Sequence, residues 1–559
     1  MKRLRGSAPS GIVWVRDSRP ELPSYLALHT SLATLSCFLA SADTTQFATA
    51  TNVSRNSAYC QLISPPQNSP SGPHLSTFVH WQNHIFMSKI RGTFVHTPRL
   101  GYLDILHDHL IAFSDDGVIT HFERADTPQS TKLLGNGLGK PVIVIPQGSF
   151  MLPTFCDLHL HAPQFLYQGT GLDLPLMQWL DKYTLKAESR MDEDPALAKR
   201  VYTRLAARLK ENGTGAVLLF GTIKERTNLI LAECMQSAGI RAFVGKLSMD
   251  IDITSPDSLT TTYVEPNASA SLDAAKAFVD HCHGLVNHLP ESQRLVEPVL
   301  TPRFVPTCTN ELLKGLGELS EVRGIKVQSH LAEAKDQVEW VRAERGMEDI
   351  DVFDKSNLLT ARTVQAHCTF LSPPDLDRLS NKGSSIAHCP LSNAYFSAKP
   401  FPLREALDQN VKVGLGTDVA GGYSLDIMNS MRQAVAVSRM RQGLNLMERT
   451  GQVEPRDLSV DWKEALFLAT RGGALALGLE GIFRVGSPFD AQEIRLYDAQ
   501  TGIGIGPLDY FDLEKEESAP PLSPEDTRLT ADVIEKWWCV GDSRNRGRVW
   551  VQGNRVREV

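Results

Sequence analysis

The stretch DLHLHAPQ, residues 157–164, follows the apolar run VIVIPQGSFMLPTFC and places His159 and His161 two positions apart. In a β-strand, residues at i and i+2 point to the same face, so the two imidazoles can converge on one point. An isolated His-x-His pair is weak evidence for metal binding in a chain that has 16 histidines. The interpretation of this pair therefore depends on what the rest of the chain places at the ends of other strands.

The overall composition limits the class of protein. The chain has 559 residues, of which 42% are hydrophobic and 22% are charged, as is typical of a soluble globular protein. The formal net charge of −7 argues against nucleic acid as the main partner. Nine cysteines without regular spacing suit a reducing compartment, which predicts a cytoplasmic protein. No apolar run approaches the length of a transmembrane helix, so we expect no membrane partner.

The composition also divides the chain into segments. Residues 1–87 are rich in Ser, Thr and Asn, include SPPQNSPSGP (64–73), and are predicted to be a disordered N-terminal extension. Short β-like runs occupy residues 88–150 and resume in residues 481–559, which predicts one small β-sandwich domain formed by both ends of the chain. Residues 151–480 are predicted to form the main domain.

Eight apolar runs alternate with helical patterns between these ends, which indicates a parallel sheet buried on both faces. Eight such units predict an α/β fold, a TIM-type (β/α)8 barrel, in which catalytic residues lie at the C-terminal ends of the strands. The predicted strands are SFMLPTFCDLHLH (149–161), GAVLLFGT (215–222), RAFVGKLSM (241–249), VEPVLTPRF (296–304), IKVQSH (325–330), TVQAHC (363–368), SSIAHC (384–389) and VKVGLGTD (411–418).

Histidines and an aspartate lie where these predicted strands end. Strand one ends in His159 and His161, strand five in His330, strand six in His367 and strand eight in Asp418. Three or four imidazoles and a carboxylate suit zinc or ferrous iron. Such a metal lowers the pKa of bound water from about 15.7 toward about 7, which supplies hydroxide at neutral pH. The pattern predicts one divalent metal per chain, zinc before iron, with Asp418 as a ligand that also takes a proton from the water.

Three further residues have weaker positional support. Glu333 lies three residues after His330, in the loop over the predicted barrel mouth, and is a candidate general acid and base. The alternative is an acid that only opens the next helix. His388, at the end of strand seven, either enters the site or braces it. Lys246 lies on strand three, whereas barrels with two metals usually take a carboxylated lysine from strand four, so a single metal is favoured.

From about residue 90 to 559, the chain resembles the amidohydrolase superfamily and, within it, the guanine deaminase family. The most specific motifs are HAPQ, KYT, TPRF and GTDVAGG. The family's Pro-Gly-Phe before the histidine pair is PTF here, with Thr154, and we expect this change to affect strand conformation rather than chemistry. The resemblance implies hydrolysis of guanine to xanthine and ammonia, as part of purine catabolism.

The resemblance also implies roles for individual residues. The residues that match the family's metal ligands are His159, His161, His330 and Asp418. The residues that match its purine contacts are Gln164, Arg303 and Phe304. His367 matches a histidine that is either a further ligand or a partner of the attacking water. Glu333 matches the proton shuttle, which would protonate N3 of the ring and, with Asp418, pass protons to the departing amino group.

Two alternatives remain open at the level of sequence. One is a related barrel hydrolase acting on another aminated heterocycle, such as a pterin, a triazine or 8-oxoguanine. The other is a non-catalytic barrel scaffold, against which the intact ligand set argues. Arg303 has its own alternative, an arginine that pairs with a neighbouring carboxylate and only supports the barrel. The sequence predicts a small purine substrate and leaves open whether the chain forms a homodimer.

Overall fold

The structure, a computed structural model, describes residues 87–135, 140–253, 262–447, 456–509 and 528–558. The predicted disordered extension, apart from its last residue, lies outside the described residues. Among the helices of the described segments, none has both the length and the apolar composition that a membrane span requires.

The strands of the described segments form two sheets. The smaller fold unit uses β1 (Ser88–His96), β2 (Asp104–Phe113), β3 (Ile119–Arg124), β4 (Val142–Val144), β5 (Ser149–Pro153), β14 (Ala491–Arg495), β15 (Arg546–Val551) and β16 (Asn554–Arg557). The barrel uses β6 (Phe155–His161), β7 (Thr214–Phe220), β8 (Arg241–Ser248), β9 (Val296–Pro302), β10 (Lys326–Leu331), β11 (Thr363–His367), β12 (Ser385–His388) and β13 (Lys412–Leu415).

The barrel strands lie side by side in chain order, and each pairs in parallel with the next. The two ends of this row meet just beyond the strands. There, the Asp418 amide donates to the His159 carbonyl at 2.8 Å, and the His161 amide donates to the Val419 carbonyl at 3.0 Å. The sheet is therefore a nearly closed barrel, and the predicted TIM-type fold is confirmed.

Helices connect the barrel strands. The α-helices of the described segments are Pro128–Gly135, Leu176–Trp179, Leu185–Glu193, Pro195–Glu211, Glu225–Ala238, Ala268–Val286, Asn310–Arg323, Lys335–Arg345, Asp349–Lys355, Pro373–Lys382, Pro390–Ser392, Leu403–Asp408, Ile427–Met447, Trp462–Phe467, Gly473–Ala476 and Ala531–Val540. Single 3-10 turns are Ala162–Tyr167, Glu291–Gln293, Val305–Thr307, Gly506–Leu508 and Ser543–Asn545, and π-helical turns are Leu180–Thr184, Asn393–Ser397 and Leu468–Gly472.

The small sheet runs in the order β16–β15–β14–β5–β1–β2–β3, with β4 paired to β1. Strands from both ends of the chain therefore form one small sheet domain, as predicted. The proposed segment boundaries at residues 150 and 480 stay predictions.

The first predicted barrel strand, residues 149–161, is divided in two by the structure. Residues Ser149–Pro153 pair with β14 in the small sheet, and the barrel strand begins at Phe155. The Thr154 amide donates to the Asp490 carbonyl, whereas the next amide, of Phe155, donates to the Gly213 carbonyl. Residues 150–156 are continuously buried and mostly apolar across the join, so the sequence pattern shows no break between the two strands.

Apolar side chains from several barrel strands fill part of the interior in one buried cluster. This cluster includes Leu158, Ala216, Phe243, Val299 and Val364. The candidate site lies at the C-terminal ends of the barrel strands, where barrels of this type gather their catalytic residues.

Candidate active site

The strand ends place five side chains in one buried cluster. His159 and His161 lie at the end of β6, His330 near the end of β10, and His367 at the end of β11. Asp418 follows β13 by three residues. All five side chains are buried, with at most 7% of any residue exposed. We call these five residues the ligand cluster.

Distances within the ligand cluster are short. The Asp418 carboxylate places Oδ1 at 3.1 Å from His159 Nε2 and 3.5 Å from His161 Nε2, and Oδ2 at 3.8 Å from His367 Nε2. The Nε2 atoms of His161 and His330 are 3.1 Å apart. Donor atoms of His159, His330 and His367 lie within 4.8 Å of one another, as do those of His159, His161 and Asp418. One ion can therefore reach several of these donors.

The hydrogen bonds of the rings favour a cation between them. His330 Nδ1 lies 2.6 Å from the Arg303 carbonyl oxygen, so it carries the proton and its Nε2 presents a lone pair. His367 Nδ1 lies 2.9 Å from Asn393 Oδ1 and donates its proton to it, so the Nε2 of His367 also presents a lone pair. Within the described residues, Nε2 of His159 and of His367 has no hydrogen-bond partner. Buried lone pairs directed at one point are costly without a cation, so these residues fit a divalent metal.

The protonation of the rings agrees with this arrangement. Burial lowers the pKa of His159, His161 and His330 well below the usual histidine value, and neighbouring histidines lower it further. The three rings are therefore neutral near pH 7, which is the form in which imidazole binds a metal.

Asp157 connects the two elements that meet at the ligand cluster. Its carboxylate accepts from the Thr417 amide at 3.0 Å, the Thr417 hydroxyl at 2.5 Å and the His159 amide at 3.2 Å. Burial raises the pKa of Asp157 to about 7, and these three bonds oppose that rise. Asp157 thus ties β6 to the loop that carries Asp418. Sequence reasoning did not single it out, although it is the first residue of DLHLH.

Glu333 lies beside the ligand cluster, two residues after β10. Its side chain is buried, and Oε2 is 3.6 Å from His367 Nε2. Its backbone carbonyl accepts from the Thr369 hydroxyl at 2.5 Å, and its amide donates to Gln337 Oε1 at 3.4 Å. Burial, together with the nearby Asp418 charge, raises the pKa of Glu333 well above the usual range. Burial and the Asp418 charge therefore favour the protonated form of this carboxyl group beside the cluster.

A pocket opens beside the ligand cluster, with about 380 Å³ of space between its side chains, part of it open to solvent. Its lining residues are His161, Gln164, Leu176, Trp179, Leu180, Arg303, Phe304, His330, Glu333, Ser392, Phe396, Asp418 and Gly421. The three predicted purine contacts, Gln164, Arg303 and Phe304, thus line the same pocket as members of the ligand cluster. Trp179 and Phe396, with ring centroids 5.0 Å apart, also line the pocket and were missed by sequence reasoning.

Arg303 makes a buried ion pair with Glu188. Nη1 lies 2.7 Å from Oε2 and Nη2 lies 3.1 Å from Oε1, and both side chains are at most 2% exposed. Gln164 Nε2 is 3.5 Å from Glu188 Oε1, and Gln164 Oε1 accepts from the Ala420 amide at 3.2 Å. Arg303 therefore has the carboxylate partner of the supporting-arginine alternative, and it also lines the pocket.

Two other residues considered from the sequence lie apart from the donor sets. The His388 ring packs against Phe401 with centroids 5.0 Å apart, and burial lowers its pKa to about 3. Lys246 Nζ pairs with Glu265 at 2.5 Å and donates to the Leu247 carbonyl at 2.8 Å. Among the described residues, the sets of histidine, cysteine and carboxylate donors that could hold a metal do not include His388.

Comparison with known families gives a match over most of the chain. Residues 150–556 match the model of the Amidohydrolase family. The chain is 37% identical to the guanine deaminase of Mus musculus over 473 residues, which cover 83% of this chain and 96% of the relative. It is 30% identical to the guanine deaminase of Escherichia coli over 418 residues, which cover 74% of this chain and 84% of the relative.

A solved structure with a similar fold is guanine deaminase from C. acetobutylicum, with guanine bound in its active site. The TM-score is 0.70 at 28% identity, and the match covers 84% of this chain and 100% of that chain. The family match, residues 150–556, includes the strands and loops that carry the ligand cluster and the pocket.

Proposed function

Because the chain belongs to the Amidohydrolase family, we propose that it catalyses the hydrolytic deamination of guanine to xanthine and ammonia. The observation that carries this proposal is that one pocket joins the ligand cluster to Arg303, Gln164 and Phe304. The similarity to guanine deaminases over most of the chain supports guanine as the substrate rather than a pterin, a triazine or 8-oxoguanine.

We propose zinc as the metal, held by His159, His161, His330 and Asp418. His367 is a fifth ligand or a contact to the attacking water. When bound, the metal lowers the pKa of water toward about 7 and stabilises negative charge on oxygen. The donor set of imidazoles and one carboxylate suits zinc, and ferrous iron is the alternative that elemental analysis distinguishes.

Glu333 is the proposed proton shuttle. Its raised pKa keeps a proton on the carboxyl group, which can be donated to N3 of guanine. Protonation at N3 makes C2 more electrophilic, so water adds there more readily. The resulting Glu333 carboxylate then takes a proton from the hydroxyl group added at C2 and passes it to the amino group. The water proton accepted by Asp418 finally returns Glu333 to its protonated form. Breaking of the C2–N bond then releases ammonia and leaves a carbonyl at C2, which gives xanthine.

Asp418 is the second carboxylate that can take part in proton transfer. Its Oδ2 lies 3.8 Å from His367 Nε2, and Glu333 Oε2 lies 3.6 Å from the same atom. Both carboxylates therefore border one space, in which a water molecule can contact them. Asp418 accepts the proton of the attacking water in this proposal, while Glu333 serves the ring and the leaving amino group.

Arg303 is the proposed recognition residue for the C6 edge of the purine. Guanine presents acceptors at O6 and N7, and an arginine fork matches this pair of atoms. Adenine carries an amino donor at C6, which would face the arginine donors without a partner. A buried unpaired polar group costs about 1–3 kcal/mol, which disfavours adenine.

Ammonia release tests this function directly. The purified protein is assayed with guanine, 8-oxoguanine, a pterin and a triazine, before and after chelation and after metal is restored. We expect guanine to be the preferred substrate and chelation to abolish turnover reversibly. Ammonia from another ring but none from guanine would replace the substrate assignment, and chelator-resistant activity would refute the metal-dependent reaction.

The cellular setting is also a proposal. We place the protein in the cytoplasm because the cysteines lack the spacing of a disulfide framework, and the seven cysteines reported in the described segments are free thiols. A homodimer is tested by light scattering of the purified chain.

A further inference from the structure

Glu188 lies behind the pocket wall and contacts both polar side chains assigned to purine binding. It belongs to helix Leu185–Glu193 and is completely buried. Its Oε2 accepts from Arg303 Nη1 at 2.7 Å, and its Oε1 accepts from Arg303 Nη2 at 3.1 Å and lies 3.5 Å from Gln164 Nε2. One carboxylate therefore controls the position of two side chains that line the pocket.

The ion pair determines how the guanidinium can meet a ligand. Arginine has five N–H donors in a planar fork, and the pair with Glu188 uses one from each terminal nitrogen. The guanidinium plane is thereby fixed. Nη1 also donates to Met249 Sδ at 3.8 Å, so the Nε donor and the second Nη2 donor are the ones left for a ligand. Two neighbouring donors in a plane match two acceptors on one purine edge, as O6 and N7 provide.

Gln164 is held in the same way. Its amide nitrogen faces Glu188, and its amide oxygen accepts from the Ala420 amide at 3.2 Å. These two contacts set opposite ends of the amide, so a rotation that exchanges oxygen and nitrogen would lose both. The remaining N–H of Gln164 therefore has a defined direction in the pocket wall.

Glu188 also sets the charge of the pocket. Arg303 is buried, and the Glu188 carboxylate compensates its positive charge. A compensated arginine can bind a neutral purine through hydrogen bonds, whereas an uncompensated one in a buried site would favour an anionic ligand.

We propose that Glu188 is a specificity-determining positioning residue, which aims Arg303 and Gln164 at the C6 edge of guanine. This inference rests on the proposed function, since it assigns the ring that the pocket selects. It differs from a purely structural role because it predicts a loss that depends on the ligand and not only on stability.

The test compares guanine with 2-aminopurine, which has the amino group at C2 but no oxygen at C6. For Glu188→Gln we expect kcat/KM for guanine to fall about 10²-fold, mainly through KM, because sites built on polar pairing can discriminate by as much as about 10⁴-fold. The affinity for 2-aminopurine, measured as a substrate or as a competitive inhibitor, should change much less. The preference for guanine over 2-aminopurine should therefore fall.

A double-mutant cycle asks whether Glu188 acts through Arg303. If it does, Glu188→Gln should reduce guanine activity by a smaller factor in the Arg303→Met background than in wild type, and the loss that remains there is the part that acts through Gln164. Glu493→Gln is the matched control, because Glu493 is also buried and accepts two bonds from Arg548, at 2.6 and 3.1 Å, but lies in the small sheet. It should leave the preference between the two purines unchanged.

The outcomes separate the two proposals. If wild-type protein releases no ammonia from guanine, the proposed function and the role of Glu188 are both refuted. If wild-type protein is active and Glu188→Gln lowers kcat/KM for guanine and the affinity for 2-aminopurine by the same factor, only the role of Glu188 is refuted. Should Glu188→Gln fail to fold, Glu188→Asp carries the test, since it keeps the charge but withdraws it by one methylene and should still reduce the preference.

Discussion

Replacing Glu333 by glutamine isolates proton transfer from the shape of the site. The amide has nearly the same size as the carboxyl group, and the backbone of residue 333 is held by Gln337 and Thr369. The variant should therefore keep its metal and its substrate affinity. What it loses is a group that can both give and accept a proton 3.6 Å from His367 Nε2.

The expected loss is about 10²–10⁴-fold in kcat, the usual contribution of one general acid and base. This corresponds to about 3–5 kcal/mol of transition-state stabilisation. The loss is not complete because Asp418 remains, with Oδ2 at 3.8 Å from the same His367 nitrogen. The pH profile of kcat should also lose the limb that reports the Glu333 carboxyl group, whose pKa is raised by burial.

Single-turnover and steady-state ammonia release, with elemental analysis of the same samples, measure this prediction. Glu339→Gln is the control, since Glu339 lies on the next helix, pairs with Lys335 at 3.5 Å and is exposed. It should behave as wild type. Turnover of Glu333→Gln within about threefold of wild type, with metal retained, would show that another group shuttles the proton.

Three further results are expected. Elemental analysis should find about one zinc or iron per chain, and its removal should lower the melting temperature, because a metal that binds the folded state stabilises it; two metals per chain would contradict the single site. Arg303→Met should lower kcat/KM for guanine by about 10²-fold or more at unchanged metal content, and an unchanged value would remove Arg303 from recognition. Burial raises the pKa of Asp349 to about 7 from 3.8, so its contribution to stability is present at acid pH and is lost as pH rises from about 4 to about 7, by up to about 4 kcal/mol. Asp349→Asn should flatten that part of the melting-temperature profile, and an equally steep profile would place the titration elsewhere.

The barrel was predictable from sequence because of how its strands are buried. Parallel strands covered on both faces are continuously apolar, so each of the eight runs stood out and fell within a few residues of the observed strand. Their C-terminal ends meet at one mouth by topology, which is why five residues far apart in sequence could be grouped in advance. The division of the first run at Thr154 was not predicted, because an apolar pattern does not reveal which of two sheets a buried strand joins.

The pocket wall was less predictable. Glu188 lies on a helix, where a glutamate is ordinarily a surface residue, and its partner Arg303 is 115 residues further along the chain. Trp179 ends the short helix Leu176–Trp179 and Phe396 lies in the π-helical turn Asn393–Ser397, and elements this short carry no periodic signal. Pairings of this kind depend on loop paths, which local propensity does not specify.

Because the chain divides at Thr154, the small sheet can be completed only late in translation. Pro153, the last residue of β5, accepts a hydrogen bond from the Gln492 side chain, 339 residues later in the chain. As the chain leaves the ribosome, β1 to β5 are therefore made long before β14, the neighbour that covers one edge of β5. That edge stays open to other strands until almost the whole protein has been translated, and an open, apolar edge is where nascent chains associate wrongly. The interval ends when β14 emerges, so the C-terminal segment both completes the small sheet and covers this edge of β5.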